Sequence, residues 1–265
     1  MEQRDNSIRH PLRDQEGVTF LDLFSQQASA SASARPSYPD ELYKFIASLA
    51  PRRSLAWDCA TGNGQAARDL ARYFQTVIAT DGSAEQIALA APVDNVEFRV
   101  AAAEASGLAP QSADVVTVAQ ALHWFAHEPF FAEVRRVTVP GGIVAAWCYG
   151  SCHAGADVES LLREFEDGTL GPYWSAGRRW VLEHYRTIPF PFAELSAPGF
   201  ELRVQWTLRQ LKAYLGSWSA VAKFRRERGE DPVEAVVDRI AGHWGSPDRT
   251  RDVTWPLDIR VGRVG

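Results

Sequence analysis

Between residues 54 and 149 the sequence alternates short apolar runs with segments whose apolar residues recur at helical spacing. This alternation is typical of repeated β-α-β units, in which helices cover both faces of a parallel sheet. The predicted strands are residues 54–58, 76–81, 96–100, 114–119 and 142–149. The predicted helices between them are residues 65–73, 84–91 and 129–137. The pattern therefore predicts a compact, doubly wound α/β core.

Segments on both sides of this core extend it. A helix is predicted at residues 40–49, after a stretch of alternating Ala and Ser at 27–34. The C-terminal third predicts helices at residues 157–167, 178–186, 208–228 and 232–244, and strands near 201–206 and 253–264. Because the last two strands can complete the first sheet, we expect a seven-stranded, mostly parallel sheet with a helical cap inserted after strand five.

The expected organisation has three parts. Residues 1–39 form an N-terminal segment, which is either a mobile lid or a linker because Ala/Ser composition explains flexibility without any function. Residues 40–150 form the core, and residues 151–265 form the cap together with the last two strands of the same sheet.

Charge and cysteine content narrow the possible partners. Twenty-eight Lys and Arg against 33 Asp and Glu give a net charge of −5, which offers no global positive field for a nucleic-acid backbone. The longest uncharged stretch is broken by Pro140-Gly141-Gly142, and the first 16 residues lack an apolar region, so we expect no membrane span and no signal peptide. Three cysteines predict reduced thiols in the cytoplasm and no metal site. The oligomeric state stays open.

A glycine-containing loop follows the first predicted strand, in the run Trp57-Asp58-Cys59-Ala60-Thr61-Gly62-Asn63-Gly64-Gln65. Small residues at 60, 62 and 64 let the backbone turn sharply, and the next helix offers free N–H groups to a nucleotide-like ligand. Asp81, at the end of the second strand, can accept hydrogen bonds from ribose hydroxyls or cap the following helix. Gly62, Gly64 and Ala67 also fit the loop of dinucleotide-binding dehydrogenases.

Asp58 distinguishes a dinucleotide from other nucleotide-like ligands, because it is an acid in the last position of the predicted strand. A carboxylate beside the two phosphates of a dinucleotide would be unfavourable, whereas one beside an ammonium group is favourable. S-adenosylmethionine carries a sulfonium and an amino group, and it carries no phosphate. The residues therefore favour this cofactor over NAD.

The chain resembles the class I S-adenosylmethionine-dependent methyltransferases, whose first motif reads acid-x-small-x-Gly-x-Gly. Asp58, Gly62 and Gly64 match this motif, while Ala60 stands where the family usually has glycine. Further similar runs are Thr80-Asp81-Gly82-Ser83, Ala102-Ala103-Glu104, Ser112 to Val116, Ala119 to Phe125 and Pro140-Gly141-Gly142. With Arg35-Pro36-Ser37-Tyr38-Pro39, they resemble the small-molecule subgroup of type 11 and trans-aconitate methyltransferase-like proteins.

The resemblance implies a Rossmann-like fold, S-adenosyl-L-methionine as the cofactor and a set of residues that bind it. Arg35 is assigned to the cofactor's carboxylate or to an acidic substrate. The implied cofactor-binding residues are Arg35, Asp58, Ala60, Gly62, Gly64, Asp81, Gly82, Ala103, Glu104 and Gln120.

The residues assigned to catalysis are His123 and Trp124, at the end of the fourth strand. His123 is either a general base or a structural histidine, and Trp124 is either a pocket wall facing the sulfonium or part of the core. Further wall candidates are Tyr149, Tyr173, Trp174 and Trp218. Arg178 and Arg179 are the groups that an anionic substrate would require, unless they are solvated.

The expected function is methyl transfer to a small metabolite, of which carboxylate-bearing compounds are one class. Ala60 and Ala102 depart from the family pattern and motivate an alternative, a protein that binds the cofactor without catalysis. An NAD-dependent oxidoreductase is the other alternative. A nucleic-acid methyltransferase would require a basic surface that the net charge does not predict.

Overall fold

The computed structural model describes residues 35–125, 128–246 and 248–265. Most of the expected lid or linker at residues 1–39 lies outside the described residues. The strands are β1 Leu55–Cys59, β2 Thr76–Asp81, β3 Val96–Val100, β4 Ala113–Ala119, β5 Thr138–Cys148, β6 Ala193–Leu195, β7 Phe200–Trp206 and β8 Arg251–Arg263. The predicted α/β fold is confirmed.

The strands form one mostly parallel sheet in the order β3-β2-β1-β4-β5-β8-β6, with β7 also paired to β8. Strands β1 to β5 are parallel, and β8 runs antiparallel to β5. The chain leaves β1 toward β2 and later returns to β4 on the other side of β1. In such open sheets ligands bind outside the carboxyl ends of the strands, where the strand order reverses.

The sixth strand of the expected seven consists of two pieces. Both β6 and β7 pair antiparallel with β8: β6 with residues 261–263 and β7 with residues 251–257. Residues 196–199 separate the two pieces and include Pro198, which has no N–H to donate to a strand neighbour. The pattern predicted β7 and missed β6, because three residues give too short an apolar alternation.

Among the described residues, five helices belong to the core: α1 Asp40–Leu49, α2 Gln65–Leu70, α3 Ala84–Ala88, α4 Leu122–Phe125 and α5 Glu128–Val137. The cap comprises α6 Ala156–Arg163, a π-helical turn Glu164–Thr169, a 3₁₀ turn Gly171–Tyr173, α7 Arg178–Leu182, α8 Leu208–Gly216, α9 Ser219–Arg228 and α10 Pro232–Trp244. The cap elements from α6 to α7 follow β5, as expected. The remaining cap helices, α8 to α10, lie between β7 and β8. The single helix predicted at 208–228 is two helices, because the chain turns at Ser217, whose hydroxyl donates to the carbonyl of Tyr214.

Two buried apolar clusters lie against the sheet. One joins α1, α2 and the cap helices around Trp147 and Trp255, and the other joins α5 to Trp57 and Tyr185. Trp57 is fully buried, and its indole N–H donates to the Thr80 hydroxyl at 2.9 Å, which ties β1 to β2. Cys59, Cys148 and Cys152 are buried free thiols. Among the described residues, no helix combines the length and the apolar character needed to cross a bilayer.

Candidate active site

The loop after β1 contains three residues in the left-handed region: Ala60 at φ 53°, Gly62 at φ 58° and Gly64 at φ 82°. The two glycines meet different constraints. A Cβ on Gly64 would lie 2.5 Å from Cε1 of Phe98, so a side chain there would require the Phe98 ring to move. A Cβ on Gly62 would have a single neighbour, Oε1 of Gln86 at 3.6 Å, so this position faces open space.

Asp81 closes the loop from the end of β2. Its Oδ2 accepts a hydrogen bond of 2.8 Å from the backbone N–H of Gly62, and its Oδ1 accepts one of 2.9 Å from that of Ser83. Burial raises the pKa of Asp81, and these two hydrogen bonds oppose the rise. The cap of α3 is Ser83, whose hydroxyl accepts from the N–H of Gln86. Asp81 therefore does not cap α3, which was the alternative that its position allowed.

Asp58 lies behind the loop with none of its surface exposed. The hydroxyl of Thr117 donates to Oδ1 at 2.6 Å, and the hydroxyl of Thr61 donates to Oδ2 at 2.5 Å. Burial raises the pKa of Asp58 to about 6, against the lowering effect of the two threonine hydrogen bonds, and the charge of Asp81 raises it further. A cation bound at the loop would favour the ionised form of this carboxyl group.

The glycine-loop cleft is the open space beside this loop. It encloses about 770 Å³, including the part open to solvent. Its walls are Arg35, Tyr38, Ala60, Thr61, Gly62, Asn63, Gln65, Ala66, Asp81, Gln86, Ala119, Gln120, Ala121 and Trp124. These residues lie at the carboxyl ends of β1, β2 and β4, in the segment before α1, and in the helices α2, α3 and α4 that follow those strands.

Five of the predicted cofactor-binding residues line the glycine-loop cleft: Arg35, Ala60, Gly62, Asp81 and Gln120. The structure places Asp58, Gly64, Gly82, Ala103 and Glu104 outside its lining. Gly82 and Glu104 are exposed, and Ala103 packs against the cluster around Trp57.

Sequence reasoning did not single out Gln65 and Gln86 of the glycine-loop cleft. Gln65 is the first residue of α2, and its Nε2 donates to the carbonyl of Pro36 at 2.7 Å. Its position directly after the glycine loop was the available signal. The hydrogen bond holds the segment that carries Arg35 at the wall of the cleft.

The residues of this cleft fit S-adenosylmethionine. Open space faces the left-handed Gly62, a buried carboxylate borders it at Asp81, and a cation borders it at Arg35. The cofactor has ribose hydroxyls that can donate to a carboxylate and an amino-acid carboxylate that can pair with a guanidinium.

A second space, the aromatic pocket, adjoins the glycine-loop cleft. It encloses about 750 Å³, including the part open to solvent, and shares Arg35, Gln120 and Trp124 with the cleft. The remaining walls are His123, Tyr149, Gly150, Trp174, Ser175, Arg178, Val181, Tyr214, Trp218 and Ser219. A molecule in this pocket would therefore lie next to one in the cleft.

Gln120 stands at the junction of the two spaces in a strained conformation. Its φ of 56° is unusual for a residue with a side chain, and such strain is common at functional sites. Its Nε2 donates to the carbonyl of Tyr149 at 2.9 Å, and its backbone N–H donates to that of Trp147 at 2.8 Å. These bonds hold the amide between the cleft and the pocket.

His123 is a neutral group in the wall of the aromatic pocket. Its Nδ1 is 2.8 Å from the hydroxyl oxygen of Tyr185, a buried residue 62 positions later. Burial, with the charge of Arg178 as a second cause, lowers the pKa of His123 to about 3. The ring of Trp124 lies 4.9 Å from that of His123 and borders both spaces. The Tyr185 contact could not be found from sequence spacing.

The two adjacent arginines of α7 point to different places. Arg178 lines the aromatic pocket, whereas Arg179 lies over the ring of Trp180 at 4.9 Å and is not part of the lining. Of the expected wall residues, Tyr149, Trp174 and Trp218 line the pocket. Tyr173 does not; its hydroxyl accepts a hydrogen bond from Arg228. Within the described part of the chain, no cluster of His, Cys, Asp and Glu could hold a metal ion.

Comparison with known proteins gives consistent similarities. Residues 57–146 match the family described as "Methyltransferase domain". A protein of Dictyostelium discoideum described as a methyltransferase is 31% identical over 245 residues, which cover 90% of this chain and 93% of that protein. The methyltransferase cfoB of Aspergillus candidus is 30% identical over 240 residues, or 80% of this chain and 74% of that protein. A solved structure described as a type II methyltransferase from Anaeromyxobacter dehalogenans has a TM-score of 0.81 and 42% identity, with 87% of this chain and 98% of that chain covered.

Proposed function

The chain belongs to the class I S-adenosylmethionine-dependent methyltransferases, and from this premise we propose that it methylates a small anionic molecule bound in the aromatic pocket. The hydrogen-bond donors of that pocket carry the proposal. Arg35 and Arg178 line it, and no Asp or Glu is among its described lining residues. Arg178 is paired with Glu166 through Nη2 alone, so the rest of its guanidinium can donate to an anionic acceptor.

S-adenosylmethionine is the cofactor, and several residues of the cleft are proposed to hold it. Asp81 would accept hydrogen bonds from the ribose, and Arg35 would pair with the amino-acid carboxylate. When bound, the cofactor supplies an electrophilic methyl group on a positively charged sulfur. The chain supplies orientation: Gln120 and Trp124 border both spaces and would align the acceptor with the cofactor.

The state of His123 supports a carboxylate as the acceptor group. A conjugate acid with a pKa of about 3 makes this imidazole a weak base. Phenols and ammonium groups must lose a proton before they attack, whereas a carboxylate is already ionised at neutral pH. His123 is accordingly proposed to position the acceptor, with its Nδ1 engaged by Tyr185.

Three narrower expectations stay predictions. They are the resemblance to the trans-aconitate methyltransferase-like subgroup, the cytoplasmic location and the lid formed by the N-terminal segment. The last of these draws support from the hydrogen bond of Gln65 to Pro36, because Arg35 and Tyr38 of the same segment border the glycine-loop cleft.

A transfer assay with a methyl-labelled cofactor tests the proposal. The acceptors are a panel of small carboxylic acids, each paired with its carboxamide, together with phenols and amines. We expect label on the acids, recovered as methyl esters, and none on the amides. Label on a phenol or an amine alone would overturn the carboxylate assignment. Absence of label from every class, with the cofactor bound, would overturn the small-molecule acceptor.

A further inference from the structure

Arg178 is held in a fixed orientation at the wall of the aromatic pocket. Its Nη2 donates a hydrogen bond of 2.8 Å to Oε2 of Glu166, and its guanidinium carbon lies 4.3 Å from the centre of the Trp174 ring. The side chain is 18% exposed. Within the described residues, Nε and Nη1 have no hydrogen-bond partner. The guanidinium therefore keeps free donors while its orientation is already determined.

Glu166 organises this arrangement with both its side chain and its backbone. Its Oε2 accepts from Arg178 and also from the hydroxyl of Ser151 at 2.5 Å. Its backbone carbonyl accepts from the indole N–H of Trp174 at 3.0 Å, which fixes the ring that Arg178 covers. Glu166 lies in the π-helical turn Glu164–Thr169, a local irregularity that is frequent at functional sites.

Burial of the Glu166 carboxylate carries a cost in desolvation free energy. It is 5% exposed, and its Oε1 is buried without a hydrogen-bond partner among the described residues. Burial raises its pKa, while the charge of Arg178 opposes the rise. Replacing a buried ion pair with apolar side chains is often neutral or stabilising, so stability alone gives no reason for this pair.

From this geometry we infer that Arg178 determines specificity for acceptors with an anionic group, and that Glu166 is its positioning residue. The inference rests on the proposed function and names the group that selects its substrate. An arginine that is already oriented loses little side-chain freedom when it binds a carboxylate through its planar donors. A carboxamide of the same shape offers one acceptor oxygen instead of two and carries no charge, so it would leave one guanidinium donor unpaired and bind more weakly.

The first test compares Arg178→Gln with Arg179→Gln, its neighbour outside the pocket. The probes are benzoate and succinate, with benzamide and succinamide as neutral counterparts, added to protein loaded with S-adenosylhomocysteine and followed by calorimetry. We expect at least one acid to bind at least tenfold more tightly than its amide. Arg178→Gln should reduce that preference to less than threefold, and Arg179→Gln should leave it unchanged. No preference for either acid, or a preference that survives Arg178→Gln, would overturn the inference.

The same variants distinguish this inference from the proposed function. If the anion preference depends on Arg178 while no acid in the wider panel receives a methyl group, the proposed function fails and the anion-binding role of Arg178 holds. If acids are methylated and Arg178→Gln does not raise their KM, the inference fails and the proposed function holds. Retained binding of S-adenosylhomocysteine shows that each variant is folded.

The second test examines Glu166 through the direction in which its substitution changes the affinity for an acid. Glu166→Ala removes a negative charge beside the pocket, so an effect of charge alone would tighten the binding of benzoate or succinate. Loss of positioning predicts the opposite, at least fivefold weaker binding. Glu166→Gln keeps an oxygen that can accept from Arg178, and it should bind the acid within threefold of the unmodified protein. Tighter binding by Glu166→Ala, or equal losses in both variants, would overturn the positioning role.

Discussion

The backbone N–H of Gly62 donates a hydrogen bond of 2.8 Å to Oδ2 of Asp81, and so joins the glycine loop after β1 to the end of β2. The carboxylate therefore shapes the loop and borders the glycine-loop cleft. Asp81→Ala should weaken binding of S-adenosylhomocysteine by about 1.5 to 3 kcal/mol, the scale of a lost charge-assisted hydrogen bond. Isothermal titration calorimetry measures this change directly.

The control for Asp81 is Asp94→Ala, which removes an exposed carboxylate from the turn before β3. It should leave the affinity unchanged. Unaltered affinity in a folded Asp81→Ala protein would refute the assignment of Asp81 to the cofactor.

Gly64 and Phe98 give a prediction about stability. Gly64→Ala would place a Cβ 2.5 Å from the Phe98 ring and would also force a side chain into φ 82°. Gly107→Ala separates the two effects, because its φ is 74° and its Cβ would have no atom within 4 Å. We expect Gly107→Ala to cost about 1 kcal/mol and Gly64→Ala at least twice as much. Urea denaturation measures both, and equal losses would contradict the steric role of Phe98.

Ala60 occupies a backbone conformation that glycine adopts more readily. Its φ of 53° costs an L-residue about 1 to 2 kcal/mol, and glycine would relieve this strain. Glycine also has greater freedom in the unfolded chain, which cancels part of that gain. Ala60→Gly should therefore leave the free energy of unfolding unchanged or raise it by up to about 1 kcal/mol. Ala235→Gly, at an exposed position of α10, should lower it by about 0.5 to 1 kcal/mol. Equal losses in thermal denaturation would show that position 60 is not strained.

The parts of the fold and site that sequence predicted are those that local patterns determine. Alternating apolar runs define β1 to β5, and the glycine loop lies directly between β1 and α2. Asp81 ends β2, and it borders the glycine-loop cleft because parallel strands end at a common edge. Strand β4 ends at the same edge of the sheet. Gln120, which follows it, therefore lies at the junction of the cleft and the aromatic pocket, and His123 lies in the wall of the pocket.

The parts that sequence did not predict depend on contacts between distant residues. Tyr185 meets His123 across 62 positions, and Tyr214 reaches the aromatic pocket from α8. Asp58 has the expected position in the chain, but Thr61 and Thr117 enclose its carboxylate, and its burial could not be deduced from one strand. The roles assigned to all the site residues stay predictions, including those of Gly82, Ala103 and Glu104, which lie outside the lining of the cleft.

The buried carboxyl group of Asp58 should make cofactor binding depend on pH. Its pKa of about 6 means that it gains its negative charge as the pH rises through that value. Since S-adenosylmethionine carries a positive sulfonium and ammonium, affinity should increase from about pH 5 to about pH 7 and level off above. In the unliganded protein, the titration of Asp58 has the opposite effect on folding stability, which falls as the pH rises. Because the folded-state pKa lies above the unfolded value, this group's contribution to stability decreases between about pH 4 and pH 6.

Asp58→Asn tests the origin of this dependence, because it keeps the size of the side chain and removes its titration. Affinity measured by calorimetry from about pH 5 to pH 8 should lose its rise through pH 6 in this variant. Asp94→Asn, which changes an exposed carboxylate, should keep the rise. The pKa of Asp81 is also raised by burial, so a rise that persists in Asp58→Asn would assign the titration to Asp81 and contradict the prediction for Asp58.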